Sequence, residues 1–317
     1  MNLDMKKIIL DVDTGVDDAF AILLASSSKE LDVQAVTTVA GNCTLTNSTR
    51  NSLKILDLNN RKDIPVYKGE EHSLVIGEID ATYVHGENGI GDMTFDDVQR
   101  QPENIHAVDY LIREVNENPG EITIVAVAPL TNIAKAIQKN SEFSKNIKQL
   151  VIMGGSQTSG NVTKYAEFNF RKDPHAAKIV FESGIKDIVM VGLDVTTKIP
   201  LVKELEEMLQ KINNDVSNFM FDCTRMGAKY DREHGMDGLI LNDPLTVAYL
   251  IDDSVLELRK TNIEIITEGE KIGMSVINDE KTHNARVADN VDVNKFYKIL
   301  FTNIFQNEIE IVNKYIK

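Results

Sequence analysis

Short apolar runs rich in valine and isoleucine alternate with segments of helical period between residues 6 and 200. Such runs are typical of strands buried on both faces, and parallel strands need a connecting segment that is usually a helix. The alternation therefore predicts an open α/β fold with a mostly parallel, Rossmann-like sheet flanked by helices. The predicted strands are KKIILDV, VQAVTTVA, DIPVYKG, EITIVAVA, KQLVIMGG and DIVMVGLD. The predicted helices are DDAFAILLASS, TNSTRNSLKILDLN, IHAVDYLIREVNEN, LTNIAKAIQKN and DPHAAKIVFES.

The pattern changes after residue 200. There we predict longer helices over 201–230 and 243–252, a strand pair near 255–277 and a terminal helix from about 294. No linker rich in proline, glycine and serine separates this part from the first. Residues 1–317 are therefore predicted to form a single domain with a C-terminal helical and hairpin elaboration.

The charge balance excludes two classes of partner. The chain has 34 Lys and Arg against 49 Asp and Glu, a formal charge of −15, which opposes binding to polymeric nucleic acid or to an anionic membrane surface.

No stretch approaches the ~20 apolar residues of a membrane span. The two cysteines, Cys43 and Cys223, are too few for a disulfide framework or a cysteine-rich zinc site. We expect a cytoplasmic protein.

Polar residues follow several of the predicted strands, where ligands of open α/β sheets bind. Asp11, Asp13, Asp17 and Asp18 surround the end of the first strand. The other polar residues after strands, or before a late helix, are Asn42, Thr131, Asn132, Ser156, Asp194, Thr196, Asn242 and Asp243. Oxygen ligands predominate in this set, which indicates a hard cation, Ca²⁺ or Mg²⁺, rather than Zn²⁺.

The four aspartates exceed what a helix start requires. Asp17 and Asp18 fall in the first turn of the helix after Gly15, where acidic residues favour the helix dipole. That explanation leaves Asp11 and Asp13 unaccounted for, because carboxylates beside a buried strand repel each other and lose hydration unless a cation offsets them. The cluster therefore predicts metal or substrate binding.

Two other enzyme classes fit the aspartates less well. An Asp-x-Asp after a hydrophobic strand resembles the start of haloacid-dehalogenase-type phosphatases, which would use Mg²⁺. Their hydroxyl residue comes four positions after the first Asp, where this chain has Gly15, and Asp17 and Asp18 would repel a phosphate. A dinucleotide-dependent oxidoreductase is disfavoured because no G-x-G-x-x-G follows a strand.

Six stretches, in the order of the family, resemble the inosine–uridine-preferring nucleoside hydrolases. They are DVDTGVDDA, GN at 41–42, VAPLTN at 127–132, MGG at 153–155, a GN…AEFN run at 160–169, and ND at 242–243. The resemblance spans essentially the whole chain. It implies an N-ribohydrolase in which a Ca²⁺ ion at the carboxyl edge of the sheet binds the ribose and the attacking water. It also implies a homodimer or homotetramer that serves purine or pyrimidine salvage.

The resemblance also implies roles for individual residues. Asp13 is similar to the aspartate that contacts Ca²⁺ and acts as general base, and Asp11 matches a residue that supports the site from behind. Asp18 and Asp243 match the other carboxylate ligands, and Thr131 matches a ligand through its backbone carbonyl. The residues that match ribose-binding positions are Asp17, Asn42, Met153, Asn161, Glu167 and Asn169.

The chemistry of N-glycosidic cleavage agrees with these carboxylates. The reaction passes through an oxocarbenium-like sugar, so the site needs negative charge near the ribose and an activated water. Buried hydrogen bonds to the ribose hydroxyls should disfavour 2′-deoxy substrates. Glu167 and Asn169, two residues apart, are expected to project to one face in a strand-like segment.

The chain departs from the family where the leaving base is protonated. Several members have His-Asp at the start of the late helix, whereas this chain has Asn242 and Asp243, and an amide delivers no proton near pH 7. His85, in a glycine-rich loop with the character of a mobile lid, and His234 are the candidates to compensate, and Tyr230 is a candidate to stack on the base.

Two questions stay open from the sequence. Asn242 is compatible with a non-catalytic ribonucleoside-binding or sensor protein, although a pure binder has little need of Asp13 as a base. The preferred base is also open, and the missing acid suggests a nucleoside with a better leaving group or a modified base, such as the 7-deazaguanine nucleoside queuosine.

Overall fold

We describe a computed structural model of the protein over residues 5–75, 82–94 and 98–316. The strands are β1 (Lys6–Val12), β2 (Leu31–Thr38), β3 (Val66–Lys68), β4 (Thr123–Ala126), β5 (Gln149–Met153), β6 (Ile188–Val191), β7 (Pro200–Val202), β8 (Gly238–Ile240), β9 (Leu256–Ile265), β10 (Ser275–Asn278) and β11 (Ala285–Val291). Within the described ranges, nine of them form one sheet in the order β10-β9-β11-β6-β5-β4-β1-β2-β3. All neighbours from β11 to β3 are parallel, which confirms the predicted fold class.

Helices follow most of the strands. They are α1 (Val16–Ser27), α2 (Leu45–Leu58), α3 (Thr82–His85), α4 (Ala107–Glu117), α5 (Thr131–Lys139), α6 (Phe143–Asn146), α7 (Phe168–Lys172), α8 (Pro174–Phe181), α9 (Leu193–Thr196), α10 (Lys203–Ile212), α11 (Asp215–Glu233), α12 (Pro244–Ile251), α13 (Val293–Ile304) and α14 (Ile309–Tyr315), with a 3₁₀ turn at Asp253–Val255. Among these ranges, no helix is long and apolar enough to cross a membrane.

The hydrophobic core has two layers, one on each face of the sheet. Alternate residues of β1 divide between them: Ile8 and Leu10 pack in one layer and Ile9 packs in the other. Helix α1 is buried along nearly its whole length between the sheet and helices α12 and α13. Because α1 is apolar on all sides apart from its first turn, burial fixes that turn at the end of β1.

The strand order changes direction between β1 and β4. The chain runs outward through β1, β2 and β3 on one side and through β4, β5 and β6 on the other. Two diverging connections leave a crevice outside the carboxyl ends of the central strands. Asp13 follows β1 and Val127 follows β4, so both lie at this crevice.

The region after residue 200 differs from its prediction in three places. The predicted helix over 201–230 is strand β7 followed by α10 and α11, and these two helices separate at Asn213, which has a left-handed φ of 53°. The predicted strand pair is confirmed as the antiparallel β9 and β10, and the polar-rich β11, which was not predicted, also joins the sheet. The predicted terminal helix is divided into α13 and α14.

Candidate active site

A cavity of about 250 Å³ opens at the crevice beside β1 and β4. Ten of the predicted site residues line it: Asp17, Asn42, His85, Met153, Asn161, Glu167, Asn169, Tyr230, Asn242 and Asp243. Asp13, Asp18, Thr131 and His234 are not among its lining residues. The cavity has a polar end, where Asp17, Asn242 and Asp243 lie together, and its lining also includes the apolar side chains of Val84, Leu239 and Ile240.

Asp13 and Asp18 are held together by Asn42. The Asn42 backbone N–H donates to Asp13 Oδ2 at 2.7 Å, and its side-chain amide donates to Asp13 Oδ1 at 3.2 Å and to Asp18 Oδ2 at 2.9 Å. Asp18 also accepts from the backbone N–H groups of Asp13 and Gly15, at 3.1 and 2.8 Å, which caps the start of α1. Both carboxylates are fully buried and fixed in orientation.

Asp17, Asp18 and Asp243 form a carboxylate trio at the polar end of the cavity. Each offers an oxygen within 4.8 Å of the others, and all three side chains are buried. Burial raises the pKa of Asp18 to about 7, with a further contribution from Asp17, and raises the pKa of Asp243 well above its usual range. Such a trio is costly unless a cation offsets the repulsion, and its hard oxygen ligands suit Ca²⁺.

The trio differs from the predicted ligand set. Asp18 and Asp243 come together as expected, and the third carboxylate at this spacing is Asp17, which was predicted to hold ribose. Asp13 adjoins Asp18 through the hydrogen bond from its backbone N–H. Burial, followed by the charge of Asp18, holds the pKa of Asp13 well above its usual range.

Thr131 lies outside the cavity lining, and its role as a backbone ligand stays a prediction. It is the first residue of α5, where backbone carbonyls point along the helix toward the following turn, and its hydroxyl donates to Asp173 Oδ2 at 2.7 Å. The carbonyl that lies near the cavity belongs to Val127, which lines it and accepts from Asn169 Nδ2 at 3.1 Å. An interpretation based on side-chain chemistry does not select Val127, because the polar group it offers is its backbone carbonyl. Its position directly after β4 was the available signal.

Asp11 lies behind the site. Its Oδ1 accepts from the Thr37 hydroxyl at 2.6 Å and from the Asn132 amide at 2.8 Å. Its backbone carbonyl accepts from the Val127 N–H at 2.9 Å, which ties the ends of β1 and β4 together. Burial raises the pKa of Asp11 to about 6.

Glu167 and Asn169 face the cavity from a helix start and not from a strand. Glu167 precedes α7, and its carboxylate accepts from the backbone N–H groups of Asn169 at 2.7 Å, Gly155 at 2.9 Å and Phe170 at 3.1 Å. The strand-like spacing predicted for this pair is therefore wrong, because Glu167 caps the helix that contains Asn169. Burial raises the pKa of Glu167 to about 7.

Asn169 and Asn161 complete the polar wall. The Asn169 amide donates to the backbone carbonyls of Val127 and Met153, both at 3.1 Å. Asn161 Oδ1 accepts from the backbone N–H of Phe168 at 2.9 Å. These bonds fix the orientation of both side-chain amides at the cavity.

His85 ends α3, and its ring is buried in the cavity wall. The backbone N–H of Val16 donates to His85 Nδ1 at 3.1 Å. Because Nδ1 is the acceptor, the neutral ring has its proton on Nε2. Burial lowers the pKa of His85, which favours this neutral form with an Nε2–H donor.

Asn242 lies against Asp17 in the cavity wall. Its Nδ2 donates to Asp17 Oδ2 at 3.0 Å, and its Oδ1 is buried without a hydrogen-bond partner among the described residues. The bond to Asp17 fixes the amide orientation, because the reverse orientation would oppose two oxygens.

The end of α11 contributes Tyr230 and Asp231 to the cavity and leaves His234 outside it. The His234 ring packs on the Tyr230 ring at 4.2 Å between centroids, and its Nδ1 donates to the Tyr230 carbonyl at 2.8 Å. Asp231, which the sequence analysis did not select, accepts from the Ile240 N–H at 3.1 Å. Of the two histidines proposed to replace the missing acid, only His85 lines the cavity.

Comparison with known proteins identifies the class of enzyme. The sequence model of the inosine-uridine preferring nucleoside hydrolase family matches residues 8–298. The chain is 40% identical over 275 residues to the pyrimidine-specific ribonucleoside hydrolase RihA of Photobacterium profundum, covering 86% of this chain and 88% of that protein.

Solved structures give the same result. A plant nucleoside hydrolase superposes with a TM-score of 0.90 at 35% identity, covering 94% of this chain and 98% of the other. The purine-preferring ribonucleoside hydrolase from Gardnerella vaginalis also gives 0.90, at 32% identity, covering 98% and 100%.

The chain belongs to the inosine–uridine-preferring nucleoside hydrolase family. It is therefore an enzyme that hydrolyses ribonucleosides, as the sequence resemblance indicated. This membership contradicts the phosphatase, oxidoreductase and binding-only alternatives.

Proposed function

We propose that this enzyme cleaves the N-glycosidic bond with a water molecule deprotonated by Asp13, and that Ca²⁺ binds at the neighbouring carboxylates. The observation that carries the proposal is the buried trio of Asp17, Asp18 and Asp243 beside Asp13 at the polar end of the cavity. The products are a free base and ribose.

The donor set fits a hard divalent cation. Asp18 and Asp243 are the proposed carboxylate ligands, with Asp17 and Asp13 adjoining them and the Val127 carbonyl as a backbone candidate in place of Thr131. When bound, Ca²⁺ supplies Lewis acidity that lowers the pKa of water and a positive charge that attracts the ribose hydroxyls. The cation also offsets the mutual repulsion of the buried carboxylates.

Asp13 is suited to accept the proton from water. Two hydrogen bonds from Asn42 fix its carboxylate, so no rotation is needed when the water is deprotonated. Burial raises the pKa of Asp13, which makes this carboxylate a stronger base than an exposed one. Its negative charge also stabilises the positive charge that develops on the sugar ring.

The polar wall is proposed to hold the ribose. Its residues are Asp17, Asn42, Met153, Asn161, Glu167 and Asn169. Most of their polar side chains are already oriented by hydrogen bonds to backbone groups or to one another. A substrate lacking the 2′-hydroxyl would leave buried polar groups without partners, so the enzyme should discriminate against 2′-deoxynucleosides.

The leaving base is proposed to meet His85, whose ring lines the cavity beside the start of α1. The neutral His85 ring presents Nε2–H as a donor, because Nδ1 accepts from the Val16 N–H. Asn242 orients Asp17 and contacts the base without delivering a proton. Tyr230 offers its ring to the base from α11, and His234 supports that ring from behind.

The nucleobase that the enzyme prefers is to be determined with a panel of substrates. The relatives compared above carry names that specify pyrimidines in one case and purines in another. A substrate panel should include both, together with queuosine. Cytoplasmic location stays a prediction from the composition, and a role in salvage and assembly as a homodimer or homotetramer stay predictions from the resemblance.

The test is release of free ribose from this panel by three samples: the native protein, the Asp13→Asn variant and chelator-treated native protein. We expect release by the native protein and a loss of about 10²-fold or more in the other two. Undiminished release by Asp13→Asn would refute its role as base. Tight nucleoside binding without release from any substrate would refute the proposed catalysis.

A further inference from the structure

A buried asparagine on α2 joins two segments that meet at the candidate active site. Asn51 is 1% exposed, and its side-chain NH₂ donates to the backbone carbonyl of Thr14 at 3.1 Å and to that of Asn88 at 2.8 Å. Thr14 lies in the turn between Asp13 and α1. Asn88 lies in the loop that follows His85, so one amide group connects the proposed base with the proposed leaving-group residue.

The first segment is fixed to α2 at a second point. The Thr14 hydroxyl and the Ser52 hydroxyl are 2.6 Å apart and fully buried. Asn51 and Ser52 are consecutive on α2, so one turn of this helix holds both the carbonyl and the side chain of Thr14. The position of the aspartate turn is therefore set by α2 as well as by β1.

The second segment, residues 86–93, is a compact loop. The Gly91 N–H donates to the His85 carbonyl at 2.7 Å, and Asn88 Oδ1 accepts from the N–H groups of Ile90 and Asp92. Gly86, Gly89 and Gly91 have positive φ angles, which other residues adopt only with strain. Hydrogen bonds therefore connect the loop to His85, and Asn51 contacts the loop at its buried side.

A direct bond also crosses between the two segments. The Val16 N–H donates to His85 Nδ1 at 3.1 Å, two residues after Thr14. This bond sets the tautomer of His85. It forms only while the loop and the turn that contains Thr14 keep their relative position. Because Asn51 donates to both segments at once, it holds the two partners of that bond at their observed separation.

We propose that Asn51 is a positioning residue that keeps the Nε2–H of His85 directed at the leaving base. The proposal rests on the proposed role of His85. Only a side chain with two N–H donors on one atom serves both carbonyls from this position, so an apolar side chain of similar size removes both bonds. The residue touches neither the substrate nor the proposed metal ligands.

The test compares substrates that differ in their need for leaving-group assistance. Natural nucleosides release a base that requires a proton or a hydrogen bond, whereas 4-nitrophenyl β-D-ribofuranoside releases a stable phenolate. We expect Asn51→Leu to lower kcat for inosine or uridine at least about tenfold, whichever the native enzyme accepts better. The rate for the nitrophenyl riboside should stay within about threefold of the native rate, because Ser52 still holds the Thr14 side chain and Asn42 still holds the Asp13 carboxylate.

Three further variants complete the design. His85→Ala should give the same selective loss, and Gly89→Ala should reproduce it from the loop side, because an added Cβ would lie 2.7 Å from Cys43 Sγ and 3.1 Å from Asn51 Nδ2. Gly89→Ala also provides the test if Asn51→Leu does not fold. Asn59→Leu is the matched control, directly after α2, where the side-chain amide also donates two hydrogen bonds, to the hydroxyls of Ser26 at 2.7 Å and Ser27 at 3.0 Å, and none of these residues lines the cavity. It should leave both rates unchanged.

The outcomes separate the two proposals. Equal losses on both substrates would show a general structural role and overturn the assignment of Asn51. A selective loss in His85→Ala but native rates in Asn51→Leu would overturn the assignment while leaving the proposed function intact. A loss in His85→Ala that does not depend on the leaving group would overturn both the role of His85 and the role of Asn51.

Discussion

Replacing Gly41 with alanine should disable the enzyme by displacing Asp13. A Cβ added at Gly41 would lie 1.9 Å from Asp13 Oδ2 and 2.7 Å from its Cγ, whereas Cβ contacts below 3.0 Å are essentially never found. The carboxylate must therefore move by more than about 1 Å. That movement also breaks the bond of 2.7 Å that the Asn42 N–H donates to Asp13.

The expected effects on activity and on stability are of similar size in free energy. A displacement of about 1 Å in a catalytic group costs on the order of 10²-fold in rate. Losing a hydrogen bond to a charged group costs about 1.5–3 kcal/mol of unfolding free energy. We would measure kcat for ribose release under saturating nucleoside and Ca²⁺, and the unfolding free energy by urea titration.

Gly120→Ala is the control. Gly120 has a φ of +76° with no heavy atom within 4 Å of an added Cβ, so alanine there introduces backbone strain of about 1–2 kcal/mol away from the cavity. This variant should be less stable than the native protein and have native kcat. A Gly41→Ala protein with kcat within about threefold of native would refute the placement of Asp13 in the reaction.

Three other predictions concern buried groups and the substrate. The pKa of Glu167 is raised to about 7, so the folded state keeps a proton that the unfolded chain loses near 4.5, and this contribution to stability disappears as pH rises through 7. In saturating Ca²⁺, the unfolding free energy of Glu167→Gln should therefore fall less steeply between pH 4.5 and 7 than that of the native protein. The two slopes should differ by up to about 1.4 kcal/mol per pH unit, and equal slopes would contradict this. Thr131→Val removes the hydrogen bond to Asp173 and should lower the unfolding free energy by about 0.5–1.5 kcal/mol in a urea titration; a stability equal to that of the native protein would contradict a contribution from this bond. The 2′-deoxy analogue of the best substrate should react at least about 10³-fold more slowly in kcat/KM, and comparable rates would exclude buried recognition of that hydroxyl.

The central sheet was predictable because its strands are short, apolar and separated by helical segments. The parallel strands β1 to β6 are buried on both faces, so burial alone marks them in the sequence. Strand β11, with the sequence ARVADNV, escaped prediction because it includes exposed polar positions and owes its place to pairing with β6 and β9. The division of the region after residue 200 depends on a left-handed asparagine that no periodicity reveals.

The site was predictable where side chains provide the chemistry. Asp18, Asn42 and Asp243 could be selected because carboxylates and amides at strand ends and helix starts need partners, whereas Glu167 was selected through the family resemblance. The Val127 carbonyl, the tautomer of His85 and the exclusion of His234 depend on how distant segments pack. A carbonyl near the cavity has no residue-type signature, and a histidine at the end of a helix turns inward or outward according to its neighbours.

The most direct test of the proposed mechanism is a Ca²⁺ titration of metal-free protein that follows bound metal and ribose release in the same sample. We predict that the rate rises in proportion to bound Ca²⁺ and saturates at one ion per chain. Asp243→Asn should weaken binding, and Asp13→Asn should bind Ca²⁺ without gaining activity. Full activity in the metal-free protein, or full activity in Ca²⁺-loaded Asp13→Asn, would contradict the proposed roles of the carboxylates.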